Sequence, residues 1–380
     1  MTAVRKDIFS VGVNDHGIAL FESQFPVPRG MAYNSYVILD EKTAVLDTVD
    51  AAFGGEWLEN VERTLAGRAP DYLVVHHMEP DHSANIRRFS ERWPEAVIVA
   101  SAKAFTMMEQ FFGPGFAPKR LVAAEGTELP LGAHTLRFLV APMVHWPEVL
   151  VSYETREKLL FSADAFGKFG ANDVDEPWDD EARRYYFAIV AKFGAPVQAL
   201  LKKAAALDIA AVCPLHGPVL EALDRPLALY RSWSSYEPEE RGCVIAYASA
   251  YGHTRAAAEE LAALLPGTKT ALFDLTRCDV TEAVAAAFRY DTLVLASITY
   301  NGGLFPPMRS FLAALSERGF ANRRVALIEN GSWAPTAARA MRDALSGQKG
   351  LAFAQTQVKI LSALGGDSRA QLAALAQELG

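Results

Sequence analysis

The segment 76–82, which reads His-His-Met-Glu-Pro-Asp-His, constrains the fold of this chain more than any other feature. It places four potential metal ligands within six residues, namely His77, Glu79, Asp81 and His82. The apolar run 72–75 before it is typical of a buried strand, so we expect the ligands to lie in the loop at the C-terminal end of that strand. Pro80 disfavours a regular helix through the motif, and helical spacing is therefore not expected to bring the ligands together.

Three further candidate ligands follow at wide spacing: His145, Asp164 and His216. The whole set has four imidazoles and three carboxylates, which is enough for two metals that share one carboxylate. Neutral imidazoles suit zinc, whereas added carboxylates supply harder oxygen donors and offset the charge of a metal that cycles between ferrous and ferric states. The set therefore fits a non-haem di-iron site. His76 is expected to be a hydrogen-bonded core or surface residue instead.

The ligand pattern resembles that of the metallo-β-lactamase superfamily, whose hydrolytic members carry His-x-His-x-Asp-His in this loop. Here Glu79 stands in place of the second histidine. This form of the motif, followed by His, Asp and His downstream, is similar to that of the flavodiiron proteins. The flanking segments 33–36 (Tyr-Asn-Ser-Tyr), 145–147 (His-Trp-Pro), 164–167 (Asp-Ala-Phe-Gly) and 183–186 (Arg-Arg-Tyr-Tyr) agree with that family. The resemblance spans essentially the whole chain.

The resemblance implies a role for each candidate ligand. One iron would be held by His77, Glu79 and His145, the other by Asp81, His82 and His216, and Asp164 would bridge them. Ala84 stands where glycine is usual in the family and Ala163 where cysteine is common, but neither change removes a ligand. Tyr185 and Tyr186 are favoured as aromatic core residues, with a role as hydrogen-bond donors near the metals as the alternative.

Composition limits the kinds of protein that the chain can be. It has 380 residues, of which 51% are hydrophobic and 22% charged, which fits two folded domains rather than disorder. A net charge of −8 without a long basic run argues against a nucleic-acid partner. The start lacks the apolar core of a signal peptide, and no apolar run is long enough to span a membrane, so we expect a cytoplasmic protein.

The three cysteines, Cys213, Cys243 and Cys278, form no Cys-x-x-Cys pair. This spacing excludes a fused rubredoxin-type iron site, which needs four thiolates, and it argues against a disulfide scaffold.

Two domains are predicted, at 1–235 and 242–380, with a linker at 236–241. In the first, apolar runs predict strands at 37–39, 44–46, 73–75, 97–99 and 136–140, and helices are expected near 56–67, 102–112, 180–192 and 195–206. These elements are consistent with the αββα metallo-β-lactamase-like sandwich that the resemblance implies, although periodicity alone does not give that fold.

The second domain alternates strands and helices. Strands are predicted near 242–248, 269–274, 291–296, 324–329 and 352–360, and helices near 254–265, 307–317, 335–346 and 368–379. Such alternation indicates a doubly wound parallel sheet. Five strands fit a flavodoxin-like order, which binds flavin beyond the C-terminal ends of the strands.

Three loops at those strand ends are predicted to bind FMN. The first opens a helix, whose N-terminal N–H groups favour a phosphate. The second and third offer an aromatic face and glycines that allow close approach of the backbone. A Walker motif and a dinucleotide fingerprint are both absent. The predicted flavin contacts are Ser249, Ala250, Tyr251, Gly252, His253 and Thr254; Ser297, Thr299, Tyr300, Asn301 and Gly302; and Gly331, Ser332 and Trp333.

The flavin loops depart from the family pattern. Ile298 replaces a usual proline, His253 stands where asparagine is frequent, and the third loop lacks the usual Gly-Ser-Tyr-Gly-Trp. FMN binding is still expected, and the changes bear on the ring contacts and the flavin potential.

The resemblance implies an oxidoreductase that reduces O2 to water, NO to N2O, or both. FMN would take electrons from an external donor, for which the candidates are rubredoxin, a reduced deazaflavin or another flavoprotein. A head-to-tail homodimer, or a dimer of such dimers, would bring the flavin of one chain near the irons of the other. Two alternatives stay open. One is a zinc hydrolase with an appended flavodoxin domain, and the other is an electron carrier whose metal domain is structural.

Overall fold

The computed structural model describes residues 2–380, which form two compact units that meet in sequence between Arg231 and Ser232. The predicted linker, 236–241, is partly strand, because a long strand of the second unit begins at Glu240. The position of the domain boundary stays a prediction.

Strands of the first unit are short. In chain order they are β1 (Thr2–Arg5), β2 (Ile8–Ser10), β3 (Val13–Asp15), β4 (Leu20–Phe21), β5 (Phe25–Pro26), β6 (Met31–Tyr33), β7 (Tyr36–Ile38), β8 (Ala44–Leu46), β9 (Tyr72–Val74), β10 (Val97–Ala100), β11 (Arg120–Val122), β12 (Glu128–Pro130), β13 (Thr135–Val140), β14 (Leu150–Glu154), β15 (Leu159–Phe161) and β16 (Ala211–Cys213).

These strands build two main sheets. The first has the order β1-β2-β7-β8-β9-β10-β11 and the second the order β12-β13-β14-β15-β16. Apolar side chains of both sheets, among them Leu46 and Val74 from the first and Phe138 and Phe161 from the second, belong to one buried cluster. The two sheets therefore share a core, as in the predicted sandwich.

Helices of the first unit are α1 (Gly54–Leu65), α2 (Pro80–Ser83), α3 (Ile86–Arg92), α4 (Ala102–Phe112), α5 (Trp178–Tyr185), α6 (Gly194–Ala204) and α7 (Asp224–Ser234), the last of which contains the division between the units. The helix predicted near 180–192 is broken. After α5 the chain runs through a π turn at Tyr186–Val190 and a 3₁₀ turn at Ala191–Phe193.

The expectation that Pro80 keeps the metal motif out of helix was wrong in part. Pro80 is the first residue of the single turn α2, a position where proline is well tolerated because the N–H that it lacks has no helical partner there. Asp81 and His82 therefore lie in a helical turn, whereas His77 and Glu79 precede it.

The second unit is a doubly wound sheet. Its strands are β17 (Glu240–Ala248), β18 (Thr270–Asp274), β19 (Tyr290–Tyr300), β20 (Gly303–Leu304), β21 (Arg324–Asn330), β22 (Ala352–Phe353) and β23 (Val358–Ile360). The parallel strands follow the order β18-β17-β19-β21, and both β22 and β23 pair with β21. This order confirms the flavodoxin-like prediction. The fifth strand, predicted at 352–360, is divided in two.

Helices of the second unit are α8 (His253–Ala263), α9 (Val280–Arg289), α10 (Pro306–Glu317), α11 (Ala337–Ala344) and α12 (Gly366–Leu379). Sequence reasoning missed α9. Asp279 was the sequence signal for this helix, because aspartate is favoured at the N-cap position. In the structure its side chain accepts the N–H of Thr281. None of the helices described over residues 2–380 is long and apolar enough to cross a membrane.

We predict that Phe138→Ala lowers the free energy of unfolding of the first unit by about 3–5 kcal/mol, because a fully buried aromatic ring leaves a cavity when it is truncated. Phe111→Ala is the matched control, since that ring is 51% exposed and its loss should stay within about 0.5 kcal/mol. Chemical denaturation followed by circular dichroism measures both. Equal effects would show that Phe138 is not a core residue.

Candidate functional site

The seven predicted metal ligands come from the ends of four strands. His77, Glu79, Asp81 and His82 follow β9 of the first sheet, whereas His145, Asp164 and His216 follow β13, β15 and β16 of the second. Strands β13 and β15 are both antiparallel to β14, and β15 is parallel to β16, so all three end at the same edge of the second sheet. The topology therefore brings ligands that are distant in sequence together.

One group of side chains consists of His77, Glu79, His145 and Asp164, whose candidate ligand atoms lie within 4.8 Å of one another. His145 Nε2 is 3.0 Å from Glu79 Oε2 and 3.0 Å from Asp164 Oδ2. His77 Nε2 is 3.3 Å from each of the same two oxygens. These atoms face a common centre, as ligands of one metal do.

A second group consists of Asp81, His82 and His216, within the same 4.8 Å limit. The Nε2 atoms of His82 and His216 are 3.0 Å apart, and each is 3.3 Å from Asp81 Oδ2. Two imidazole nitrogens that face each other and a carboxylate in this way suit a shared cation.

Asp164 joins the two groups. Its Oδ2 faces His77 and His145, whereas its Oδ1 is 3.3 Å from His82 Nε2 and 3.8 Å from His216 Nε2. The side chain is fully buried. One carboxylate thus presents one oxygen to each group, which is the arrangement that a bridging ligand requires.

Several polar atoms of the cluster are buried without a hydrogen-bond partner among the described residues. They are both carboxylate oxygens of Asp81, Oδ1 of Asp164 and Nδ1 of His82. An unsatisfied buried oxygen is costly, so several of them at one place indicate a partner other than the protein's own side chains. The orphaned oxygens of both carboxylates therefore fit metal ligation.

Charge within the cluster shifts its titration. Burial disfavours the charged imidazole of His77, but the charge of Asp164 and hydrogen bonds to Asp164, Glu148 and Glu79 together outweigh burial and raise the pKa of His77 well above its ordinary value. Burial is likewise outweighed at His145, where hydrogen bonds to Asp164 and Glu79 raise the pKa to about 9. The buried carboxylates are stabilised by positive charge nearby. Protons on the imidazoles supply that charge until a metal displaces them.

Hydrogen bonds from an early segment fix the loop of His216. Asn34 Nδ2 donates to the carbonyls of Pro214, at 2.8 Å, and Gly217, at 2.7 Å, on either side of the ligand. The Tyr36 hydroxyl donates to the Pro214 carbonyl as well, at 2.8 Å. The Tyr-Asn-Ser-Tyr segment noted in the sequence thus fixes the loop that carries His216, the last candidate ligand along the chain.

His76 lies outside the cluster, as expected. It is buried, and its ring nitrogens lie 2.6 Å from Asp47 Oδ2 and 2.8 Å from Ser152 Oγ. The two tyrosines of the Arg-Arg-Tyr-Tyr segment are buried too. Tyr186 packs against Phe187 and Tyr230, whereas the ring of Tyr185 contacts that of His216, with ring centroids 5.4 Å apart.

Two carboxylates beside the cluster were not singled out from the sequence. Glu148 accepts a hydrogen bond from the ring of His77. Glu22, in the turn between β4 and β5, lies beside Glu79, and burial of its carboxyl group followed by the charge of Glu79 raises its pKa to about 7. Glu148 follows the candidate ligand His145 by three residues, and this spacing was the available sequence signal for it.

A cavity of about 420 Å³ in the second unit is formed by the predicted flavin loops. Ten of the predicted contacts line it: Ser249, Ala250, Tyr251, His253, Thr254, Thr299, Tyr300, Gly331, Ser332 and Trp333. Ile298, Asn330 and Ser362 line it as well and were not predicted. Tyr251 and Trp333 are 93% and 83% exposed, so their rings are available to a planar ligand.

The other four predicted flavin residues do not line the cavity. Ser297 is buried, and its hydroxyl donates to the carbonyl of Ile298. Asn301 and Gly302 form the turn that joins β19 to β20, with φ of 49° and 71°. Gly252 contributes to the conformation of the first loop without lining the cavity. Its φ is 87°, its N–H donates to Ser249 Oγ, and α8 begins at the next residue.

Comparisons with known proteins agree with both units. Residues 31–217 match the profile described as the ODP family beta lactamase, and residues 244–370 match the flavodoxin domain. An anaerobic nitric oxide reductase flavorubredoxin of Aliivibrio salmonicida is 27% identical over 87% of this chain and 69% of its own length. The type A flavoprotein fprA of Rhodobacter capsulatus is 28% identical over 91% and 83%.

Among solved structures, the rubredoxin oxygen:oxidoreductase of Desulfovibrio gigas superposes with a TM-score of 0.92 at 25% identity, over 100% of this chain and 97% of that one. The chain belongs to the flavodiiron protein family. Flavodiiron proteins carry FMN and a non-haem di-iron centre. The mixed nitrogen and oxygen donors of the cluster fit two irons, and the cavity between the flavin loops fits the flavin.

The cavity generates a prediction about flavin binding to this flavodiiron protein. Trp333→Ala should raise the Kd for FMN roughly 2-fold to 10-fold, because an aromatic stacking contact contributes about 0.5–1.5 kcal/mol. Titration of the flavin-free chain with FMN, followed by flavin fluorescence, measures the change. Leu264→Ala is the control, since Leu264 is 42% exposed but does not line the cavity. An unchanged Kd in Trp333→Ala would exclude ring contact.

Proposed function

We propose that this flavodiiron protein is a gas reductase that converts O2 to water, NO to N2O, or both. The overall reactions are O2 + 4 e⁻ + 4 H⁺ → 2 H2O and 2 NO + 2 e⁻ + 2 H⁺ → N2O + H2O. The observation that carries the proposal is the position of Asp164, which offers one oxygen to each of two ligand groups. The Aliivibrio relative is named for nitric oxide and the Desulfovibrio structure for oxygen, which supports both substrates.

The seven ligands are assigned within this proposal. His77, Glu79 and His145 would hold one iron, Asp81, His82 and His216 would hold the other, and Asp164 would serve both. When bound, the irons and FMN supply the electrons and the open coordination positions for the gas. The side chains keep the two positions close together in a largely buried site, which favours four-electron reduction without release of partly reduced product.

Tyr185 is proposed as a hydrogen-bond donor to the bound gas. Its hydroxyl is fully buried and has no partner among the described residues. Burial, and then the charge of Asp164, raise the pKa of Tyr185 well above its ordinary value, so the hydroxyl keeps its proton. A buried donor without a partner beside the ligand His216 is suited to a small polar molecule at the metals.

Electrons reach FMN from an external donor in this proposal. The three cysteines form no Cys-x-x-Cys pair, so these 380 residues contain no rubredoxin-type iron site of their own. The donor candidates remain rubredoxin, a reduced deazaflavin and another flavoprotein. The head-to-tail homodimer or tetramer implied by the family belongs to the same proposal.

Asp164→Asn tests the function. The variant keeps the shape of the side chain but loses its charge and one of the two oxygen ligands, so we expect iron content to fall and gas reduction to drop to background. FMN should remain bound, since its cavity belongs to the second unit. Metal analysis, the flavin spectrum, O2 uptake and N2O release, all with chemically reduced protein, give the four readouts.

The control for this test is Asp208→Asn, which removes an exposed carboxylate of the same unit that pairs with Lys158 and not with the cluster. Its iron content and turnover should match the wild type. Undiminished gas reduction by Asp164→Asn would refute the proposed centre. Zinc in the purified wild type, with ester hydrolysis and no gas uptake, would establish the hydrolase alternative. Electron transfer to a partner without gas uptake would establish the electron carrier.

Tyr185→Phe should lower kcat/KM for the gas roughly 10-fold while iron content stays unchanged, because it removes the hydrogen bond proposed to the bound gas. Tyr186→Phe is the matched control, since its ring packs on Phe187 and Tyr230 instead of on a ligand. Steady-state rates at several gas concentrations separate kcat from KM. Equal rates in the two variants would place Tyr185 among the packing residues.

A further inference from the structure

A hydrogen bond behind the metal cluster links His77 to Glu148. His77 Nδ1 is 2.8 Å from Glu148 Oε1, and both side chains are fully buried. The other ring nitrogen, Nε2, faces Glu79 and Asp164 in the cluster. If Nε2 binds a metal, Nδ1 must carry the ring proton, so the imidazole donates this hydrogen bond and the carboxylate accepts it.

The carboxylate of Glu148 has few hydrogen-bond partners besides His77. Its Oε1 also accepts the backbone N–H of Met78 at 2.9 Å, which ties the same carboxylate to the ligand loop. Its Oε2 is buried and has no hydrogen-bond partner among the described residues. The backbone of Glu148 is held as well, because Ser101 Oγ donates to its carbonyl at 2.8 Å. An anionic acceptor in such surroundings acts strongly on the ring that it faces.

The second group of ligands has a different support. His216 Nδ1 donates to the backbone carbonyl of Ala32 at 2.7 Å, which is a neutral acceptor. His82 Nδ1 is buried without a hydrogen-bond partner among the described residues. An imidazole that faces a carboxylate is a stronger metal ligand than one that faces a carbonyl, because the carboxylate makes the ring more basic. The two groups therefore differ in donor strength.

We propose that Glu148 is a positioning residue that makes the two metal positions unequal, so that the position at His77 binds a metal more tightly than the position at His216. Glu148 acts through His77 by fixing the orientation of the ring and by increasing its basicity. The inference rests on the ligand assignment of the proposed function.

Metal binding to the metal-free, full-length chain tests the inference without any gas or electron donor. Fe²⁺ is added anaerobically in steps against a competing chelator, and the ⁵⁷Fe Mössbauer spectrum is recorded after each step. The wild type should bind two ions in two resolved steps. E148Q keeps an oxygen that accepts both N–H bonds but loses the charge, so the tighter step should weaken roughly 10-fold to 100-fold and the weaker step should not change.

E154Q is the matched control for this experiment. Glu154 is also a fully buried carboxylate of the first unit, and it too accepts hydrogen bonds from a histidine ring, His134, and from backbone N–H groups. It contacts none of the seven proposed ligands. E154Q should therefore leave both binding steps as in the wild type. Equal weakening in E148Q and E154Q would mean a general loss of structure and would overturn the inference.

A second variant assigns the affected step to a position. H216A removes a ligand of the second group, so it should retain the tighter step, and E148Q in that background should weaken this step by the same factor. E148D, which restores the charge, should recover part of the affinity and keeps the test valid if E148Q folds poorly. Two equal steps in the wild type, or an E148Q effect confined to the weaker step, would refute the inference.

The failure of the inference and that of the proposed function give different results. A wild-type chain that takes up no iron contradicts the gas reductase itself. A chain that takes up two irons with equal affinity leaves the reductase intact and removes only the role of Glu148.

Discussion

The first unit depends on the neutralisation of charge in a nearly dry place. Three carboxylates and four imidazoles meet where Asp164, His77, His82 and His216 have no exposed surface. Carboxylates cannot stay ionised in such surroundings unless positive charge lies beside them. Protonated imidazoles give a partial solution, and two metal ions give a complete one. The cluster therefore lowers the stability of the unit unless its charge is neutralised.

The fold brings the charged groups together because each candidate ligand follows the end of a strand. Strand β9, in the interior of the first sheet, is followed by the first four candidate ligands, and three strands of the second sheet are followed by the rest at one edge. The strands hold the ligand loops at their bases. Hydrogen bonds hold them further along, since Asn34 and Tyr36 donate to the Pro214 carbonyl and Glu148 accepts the N–H of Met78. Support on both sides holds the candidate ligands in fixed positions relative to one another, as a preorganised metal site requires.

In the second unit, too, loops at strand ends form the site, which here is the cavity for FMN. The first loop ends where α8 begins, and the turn at Gly252 needs a positive φ that glycine adopts without strain. The side chain of Asn330 ties two of the loops together, since its Nδ2 donates to the backbone carbonyl of Ser362. The rings that border the cavity remain exposed, as a site for a planar ligand requires.

Much of this arrangement follows from the sequence, because its signals are local. The dense motif at 76–82 and the alternation of strands and helices after 242 indicate the fold class, and the family resemblance supplied the distant ligands. What the sequence did not reveal depends on contacts between remote segments. Glu148 is a polar residue in a loop until the fold places it behind His77, and Asn34 shows its role only beside Pro214. The broken helix after Tyr185 and the divided last strand are set by tertiary packing, which a local pattern does not encode.

The order of the ligands along the chain bears on how the centre is assembled during synthesis. With the proposed assignment, every ligand of the His77 position has been made once residue 164 has left the ribosome, whereas the other position lacks its last ligand for a further 52 residues, until His216. That ligand also needs the β6–β7 segment, since its ring is oriented by the carbonyl of Ala32. During synthesis, the chain would therefore contain every proposed ligand of one position before it contains every proposed ligand of the other.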